Sequence, residues 1–572
     1  LLPAMSLSLV DRDRFVRHAA MRAVGELDDA IFRALGKAVP QLGWSGIISN
    51  TAGFLFRRDP AQTRISLYAV RAAQLALKGD HPAELKIRAT RLMQLGLGGL
   101  AQRRGVPAAM SGYTAAEDIE PLERQLDDAR TVLAELFPTG DKVLDHELGR
   151  LIAVLTSYNP DVLNKVLAQI TDESSPTDDI HHLLIAGRIP VARNSTQRAA
   201  IAKALVEIEP KMTARDWKED TNWTDRIREM YLQLVELDTE LPAVLIEQEK
   251  FGHPGHMVFM NGLSKKEIPR AVERLLQAVK ADENYAWNND VVFAIANVMN
   301  DETRSYLREL YEQMSLSEAV TIALSQDPQA EDRPKFLIGL ESPQFEVISS
   351  SLAALGQLPA DLSADEVVPL VRALRRLQGT KQDYRLREQA IRLLRRDTKQ
   401  DFGFAFGDSG AIPQQEVIDQ WTQWAAKTFP DRAAELTGGN EEDAEQLRQR
   451  LAAVDWEAGD AARGAEIFKA RSCSQCHSGA KSVGPDLAGV ARRFSRDDLF
   501  VAIAQPNRDV SSRYQTTVVE TKSGKLFTGL VVYHSVDGVT LRNGLNQTYR
   551  IEATDIESQR LVNTSLMPAG LL

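Results

Sequence analysis

The sequence is short of cysteine: its 572 residues include two, Cys473 and Cys476. Two thiols three positions apart cannot close an ordinary structural disulfide loop, and neither has another thiol to pair with, so a disulfide framework is excluded. No run of about 18 apolar residues occurs, so no membrane-spanning helix is expected. Basic residues do not dominate. Lys and Arg number 68 against 79 Asp and Glu, a formal net charge of −11, which argues against nucleic acid as a partner because phosphate binding needs clustered cations. Gly and Pro are not over-represented, so disorder is not the default expectation. A P-loop, a G-x-S-x-G elbow and clustered carboxylates outside helix faces are all missing, and no substrate site is expected in this chain. The chain opens on LLPAMSLSLVDRDRF, without the basic-then-apolar start of an export signal, and is expected to be a mature product or a fragment.

What is present is an ordinary globular composition, 44% apolar and 26% charged, in a length that points to several domains or a repeat array. Most of residues 1–440 follow a helical period. In DRFVRHAAMRAV the apolar Phe15, Val16, Ala19, Ala20, Ala23 and Val24 form one stripe, as an amphipathic helix requires. Val16-Arg17, Ala20 and Ala23-Val24 match Leu386-Arg387, Ala390 and Leu393-Leu394 in register. Looser copies are Gln197-Arg198 with Ile201 and Ala204-Leu205, and Val347 with Ser351 and Ala354-Leu355. The last copy lies about forty residues before the one at 386, the period of HEAT-type helix pairs. Small residues at the middle position allow close helix approach, and Asp59-Pro60, Asn159-Pro160 and Ser342-Pro343 supply breaks, since the residue before proline disfavours helix. The expectation is a mainly α fold: an α-solenoid over 1–440, then a linker at 441–454.

Two local patterns in the helical region carry no chemistry. Gly96 to Ala101 fits a loose G-x-G-x-x-A fingerprint, but the stripe before it is helical where a dinucleotide site needs a strand. His253 and His256 stand near Met257 and Met260 without the three or four ligands a closed metal site wants.

Both cysteines sit in CSQCH, residues 473–477. A thioredoxin-type pair would need a βαβ context, and a zinc knuckle a second ligand pair. Covalent attachment of one haem c needs neither. Cys473 and Cys476 would form thioethers to its vinyl groups, and His477 would bind iron. Upstream, DAARGAEIFKARS reads as a short helix in which Gly464 allows close packing. Downstream, Gly484-Pro485-Asp486-Leu487 offers a proline carbonyl to accept Nδ1–H of the ligating histidine, with Leu487 packing on the haem face. For the far side of the iron two candidates remain, His534 and Met567. His534 falls in a strand entering a hairpin turn at Asp537-Gly538 and reads as a surface residue. Met567 is stiffened by Pro568 and is preferred, because His/Met ligation suits electron transfer. Residues 515–557 alternate like strands, with turns at Ser523-Gly524, Asp537-Gly538 and Asn543-Gly544, and are expected to form an antiparallel sheet of three to five strands.

The segments RGAEIFKARSCSQCH, VGPDLAGVARRF, AIAQPNRDVSSRYQTTVVETKSGKLFTGLVV, IEATDI and SLMPAGLL resemble the haem-binding cytochrome c domain typical of Planctomycetes and Verrucomicrobia, which often follows a HEAT-like region. The resemblance covers about 455–572 and implies a class I-like mono-haem domain with Cys473, Cys476, His477 and Met567 as attachment and axial residues. Members usually add a closing C-terminal helix, and many carry a β-propeller dehydrogenase-like domain ahead of the helices. This sequence has neither, so the pocket is expected to be incomplete alone.

The expected function is electron transfer in the periplasm or another extracytoplasmic space, where haem c is attached. The partner is expected to be a redox protein or dehydrogenase module in a larger assembly. Residues 455–572 hold 14 Lys and Arg against 13 Asp and Glu, a net of +1 that leaves −12 for the rest, and an acidic scaffold suits docking. Two alternatives stand beside it: the electron-accepting part of a dehydrogenase, and an open-site haem sensor or peroxidatic protein in which Met567 does not ligate.

Overall fold

The structure is a computed structural model that describes residues 2–56, 65–98, 106–115, 118–220, 222–377, 383–407, 414–437, 449–471, 473–477, 482–562, 564–568 and 571. It is mainly α-helical with one small antiparallel sheet. Two compact units divide it, Leu1–Asp282 and Glu283–Leu572. Among the described residues no helix is long and apolar enough to cross a membrane.

The described part of the first unit is helical apart from one isolated bridge between Ile65 and Leu97, and several of its helices begin at side-chain caps. Asn159 accepts from the Asp161 amide ahead of Pro160–Leu167. Asn194 and Gln197 form a reciprocal capping box at the start of Ser195–Thr213. Such caps satisfy amides that have no partner within the helix. One continuous core runs from Ile48 to Ala271. The stripe expected from Phe15 to Val24 is narrower than its sequence. In the helix Arg14–Gly25 only Ala20 and Val24 are buried, whereas Phe15 and Val16 are exposed. This helix contributes to a small cluster with Leu9, Leu35 and Val39, and the Phe15–Val16 edge of the stripe faces outward.

The two patterns set aside above are occupied by structure. Gly96 ends the helix Ala83–Gly96 with no strand before it; Gly99 to Ala101 fall outside the described residues, as do Asp59 and Pro60. His256 is fully buried. The Gly252 amide donates to its Nδ1 over 3.3 Å, and its Nε2–H donates to the Val206 carbonyl over 3.1 Å. Both ring nitrogens serve the backbone.

In the second unit the repeated register is buried in full. Leu386, Arg387, Ala390, Leu393 and Leu394 lie inward on Tyr384–Thr398, and Val347, Ser351, Ala354 and Leu355 on Phe345–Gln357. The small middle residue has the packing role inferred for it. A Cβ added at Gly339, on Arg333–Gly339, would stand 2.3 Å from Ser351 Oγ. The break at Ser342-Pro343 separates these two helices.

The sheet has five strands: β1 (Thr516–Thr521), β2 (Leu526–Ser535), β3 (Gly538–Arg542), β4 (Thr548–Glu552) and β5 (Ile556–Val562), in the order β4-β3-β2-β1-β5 with antiparallel neighbours. It extends past residue 557 because β5 folds back to pair with β1 at Thr516↔Val562. Val519, Val539, Leu541 and Ile551 make its core, with Phe527 and Tyr549 packed against them. The sheet is bound to the helices of its own unit. Asn289 Nδ2 donates to the Leu545 carbonyl over 2.7 Å, the Gly544 amide to Gln344 Oε1 over 3.2 Å, and the Phe345 amide to Thr528 Oγ1 over 3.3 Å. Arg385 and Glu520 form an ion pair at 3.1 Å. Of the expected linker, residues 441–448 lie outside the described residues.

The contact at Gly339 gives a stability test. Gly339→Val should lower unfolding free energy by about 1–3 kcal/mol through overpacking against Ser351, measured by denaturant titration. Gly36→Ala, in the helix Asp29–Ala38 where an added Cβ meets nothing within 4 Å, should be neutral or stabilising by about 0.4–1 kcal/mol.

Candidate functional site

Cys473–His477 is a single short helical turn, entered from the helix Ala461–Ala470. At 3.6 residues per turn, positions i, i+3 and i+4 share a face, so both thiols and the imidazole are presented on one side. The segment after the turn folds back onto it. The Gly484 amide donates to the Cys476 carbonyl over 2.7 Å, and His477 Nδ1–H donates to the Pro485 carbonyl over 2.8 Å. A carbonyl oxygen can only accept, which fixes the proton on Nδ1 and leaves the Nε2 lone pair available as a ligand. Gly484 is required here. A Cβ on it would lie 2.8 Å from both Cε1 and Nδ1 of His477 and 2.9 Å from the Cys476 carbonyl. Pro485 is exposed, Leu487 is partly buried, and Val483 is buried beneath the loop.

The thiols are not activated. Burial pushes Cys476 up to about 11, with the Glu318 carboxylate and Cys473 adding to the shift, and burial also raises Cys473. A redox-active C-x-x-C pair or a thiolate metal site needs the opposite, a thiol lowered by nearby positive charge or a metal. Among the described residues no group of three or more His, Cys, Asp and Glu is arranged to hold a metal ion.

The surroundings suit a large apolar group. Among the described residues of 449–515 only Val483, Ala504 and Pro506 are buried. Val454, Ile467 and Phe494 are each about half exposed. A helical segment of this length needs far more buried apolar area to be stable on its own, and a haem held on the two thiols would supply it. The residues present therefore fit that group. At Gly464 the close packing expected is not found: an added Cβ meets nothing within 4 Å.

Met567 is partly buried in a tail held by its neighbours. The Thr516 amide and hydroxyl both donate to the Thr564 carbonyl, the Ser565 amide donates to Asn507 Oδ1 over 2.9 Å, and the Met567 amide donates to Ser565 Oγ over 3.1 Å. Leu566 beside it is buried. No hydrogen bond joins Met567 to the His477 cluster among the described residues. His534 is exposed on β2 opposite Val539, as a surface hairpin residue.

Sequence reasoning missed a polar cluster around Glu318, whose charge adds to the upward shift of Cys476. Glu318, on the helix Met314–Leu324, accepts from Ser342 Oγ over 2.6 Å and from Gln344 Nε2. Glu346 Oε2 accepts from Asn543 Nδ2 over 3.2 Å, whereas Glu346 Oε1 is buried with no hydrogen-bond partner. The only sequence signal was a lone acid amid Leu316, Ala319 and Val320, which are buried. No protein-family model matches the chain, and no curated protein matches it.

The thiol shift has a direct readout. In haem-free protein at pH 8 about one Cys476 in a thousand would be thiolate, so iodoacetamide should label Cys476 far more slowly than a model thiol. Its rate should rise about tenfold per pH unit toward pH 11, followed by peptide mass spectrometry. Rapid labelling at pH 7 would mean an activated thiol.

Proposed function

We propose that the chain is an exported c-type cytochrome that carries one covalent haem for electron transfer. The observation that carries this reading is the His477–Pro485 hydrogen bond on the same turn as two protonated thiols, with Gly484 cleared for the ring. Cys473 and Cys476 hold the group by thioethers, and His477 Nε2 binds its iron. When bound, haem c supplies a one-electron iron couple. The chain's own residues do the rest. Pro485 fixes the imidazole tautomer. Leu487, two residues after the acceptor proline, would pack on the ring, and Met567 offers a thioether on a tail anchored at Asn507. Attachment of haem c takes place outside the cytoplasm, so the protein is periplasmic or otherwise extracytoplasmic. The helices up to about residue 440 act as a HEAT-like docking scaffold, acidic overall, for a redox partner or a dehydrogenase module in a larger assembly.

Intact mass under denaturing conditions should exceed the polypeptide by one haem, and acidified organic solvent should not extract it; a chain isolated without haem refutes the reading. Met567→Ala should abolish the weak far-red sulfur-to-iron absorption band, admit carbon monoxide and lower the reduction potential, because a thioether ligand raises it. Wild-type protein that is high-spin and binds carbon monoxide readily would assign the sensor or peroxidatic role instead.

A further inference from the structure

Three imidazoles of the first unit pack on one another between two neighbouring helices. His146 lies on Lys142–Val154, and His181 and His182 lie on Pro176–Ala186. The rings of His146 and His181 stack with centroids 4.2 Å apart. Those of His181 and His182 stand 5.1 Å apart, and those of His146 and His182 6.2 Å apart. His181 and His182 are buried, and His146 is partly exposed. His181 also holds the segment 106–115. Its Nδ1 shares a buried hydrogen bond of 2.7 Å with the Tyr113 hydroxyl. In the same segment Met110 and Ala115 are buried, and the Ala109 amide donates over 2.7 Å to Glu229 on the helix Trp223–Leu237. The segment is a strap, pinned at Ala109 and at Tyr113.

The cluster is poorly placed to take up positive charge. His181 Nε2 is buried and, among the described residues, has no hydrogen-bond partner. The facing helix comes close without offering an acceptor: a Cβ added at Gly149 would lie 3.1 Å from that nitrogen. Asp178 is the one carboxylate bonded to these rings among the described residues. It meets His146 Nε2 at 3.1 Å and is shared with Lys142 at 2.8 Å, while its backbone carbonyl accepts from His182 Nδ1–H over 2.7 Å. The other carboxylates of the two helices are committed elsewhere: Glu147 to Arg91 at 3.3 Å, Asp179 to Lys211 at 2.6 Å, and Asp145 to the Thr139 and Gly140 amides. On the elements packed beyond them, Glu229 holds the strap and Lys165 donates to the Ala134 carbonyl. Arg150 adds a cation, its guanidinium 6.0 Å from the centroid of the Tyr113 ring. A proton on His181 would create a buried cation without an anion of its own. Burial holds His181 down at about 2, with His146, His182 and Arg150 adding to the shift, and burial also lowers His182.

We propose that Tyr113, His146, His181 and His182 form an acid-released latch on the strap 106–115. Near neutral pH the uncharged His181 ring keeps the Tyr113 hydroxyl, and the strap with it, on the helix Pro176–Ala186. Below about 6.5, the ordinary value of a solvated histidine, His181 and His182 take up protons from water once the cluster has opened. Both are held low in the closed form, so the open form binds more protons. Closure is therefore stable above about pH 6.5 and is progressively lost as pH falls below it. Opening frees the Tyr113 end of the strap and uncovers the rings. The latch belongs to the first unit and needs no haem.

The test is amide hydrogen exchange of the full chain, followed by mass spectrometry between about pH 5 and pH 8, with each rate corrected for the intrinsic effect of pH. Protection of residues 106–115 and of Pro176–Ala186 should be level above pH 7. Below about 6.5 it should fall, by up to about tenfold per pH unit for each histidine that titrates. Burial also lowers His253 and His256, so the variants decide. His181→Gln and, independently, His182→Gln should each remove one histidine's share of that slope. Tyr113→Phe keeps all three imidazoles; it should lower protection of 106–115 several-fold at every pH, through the lost hydrogen bond, and leave the slope as it was. A second measurement needs no variant. Exchange of the histidine C2 hydrogen reads the titration of each imidazole in the wild-type chain, and His181 should not titrate above about pH 5. A His181 that titrates near 6.5 in the folded chain overturns the latch. Protection of the strap that does not change with pH overturns it as well. A slope unchanged in both histidine variants does the same and moves the acid sensitivity to His253 and His256.

Discussion

The hydrogen bond from His477 to the Pro485 carbonyl decides which ring nitrogen is left to bind. Without it either tautomer of a neutral imidazole could form, and the ring could rotate about its side-chain bonds. With it, one proton is fixed and one lone pair is aimed away from the loop. The neighbouring residues follow from that requirement. Proline stiffens the chain so that its carbonyl stays in reach. Glycine precedes it because the ring lies where a side chain would be, and the amide of that glycine closes the loop onto Cys476. The C-x-x-C-H turn and the G-P-D loop are one unit held by two backbone carbonyls.

The second unit combines two kinds of stability. Its helices bury rows of Leu, Val, Ile and Ala against one another, whereas the described residues of 449–515 bury almost nothing. The first kind draws on apolar area removed from water. The second must borrow, from a bound apolar group or from neighbours. The sheet borrows visibly, with polar side chains of Asn289 and Gln344 satisfying its loop.

Patterns carried by local geometry were legible in the sequence. The stripes at 386–394 and 347–355, the turns at Gly524 and at Asp537, and the C-x-x-C-H turn with its proline acceptor each depend on residues close in the chain. Properties set by distant partners were not. The Phe15–Val16 edge has the right period and is exposed, because period does not say whether anything packs there. The close approach anticipated at Gly464 needs a partner helix that the sequence does not specify. Glu318 sits in an apolar helix, where an acid normally points to water, and only the fold brings Ser342 and Gln344 to it. Fold class was readable as mainly helical with a small sheet. The five-strand order was not, since the pairing of β5 with β1 spans the whole insertion.

The sheet's attachment also sets an order of events during folding. The hydrogen bonds of Asn289 with Leu545 and of Gly544 with Gln344 join residues 256 and 200 positions apart. Bonds of that span bring the entropy of closing very long loops and form late, because non-local contacts slow folding. The helices at 289–357 must wait, with Gln344 and Asn289 unpaired, until the chain has been made as far as β4. The hairpins of β1 to β4 thus act as a clasp. The half-formed unit stays open to chaperones and proteases until they close.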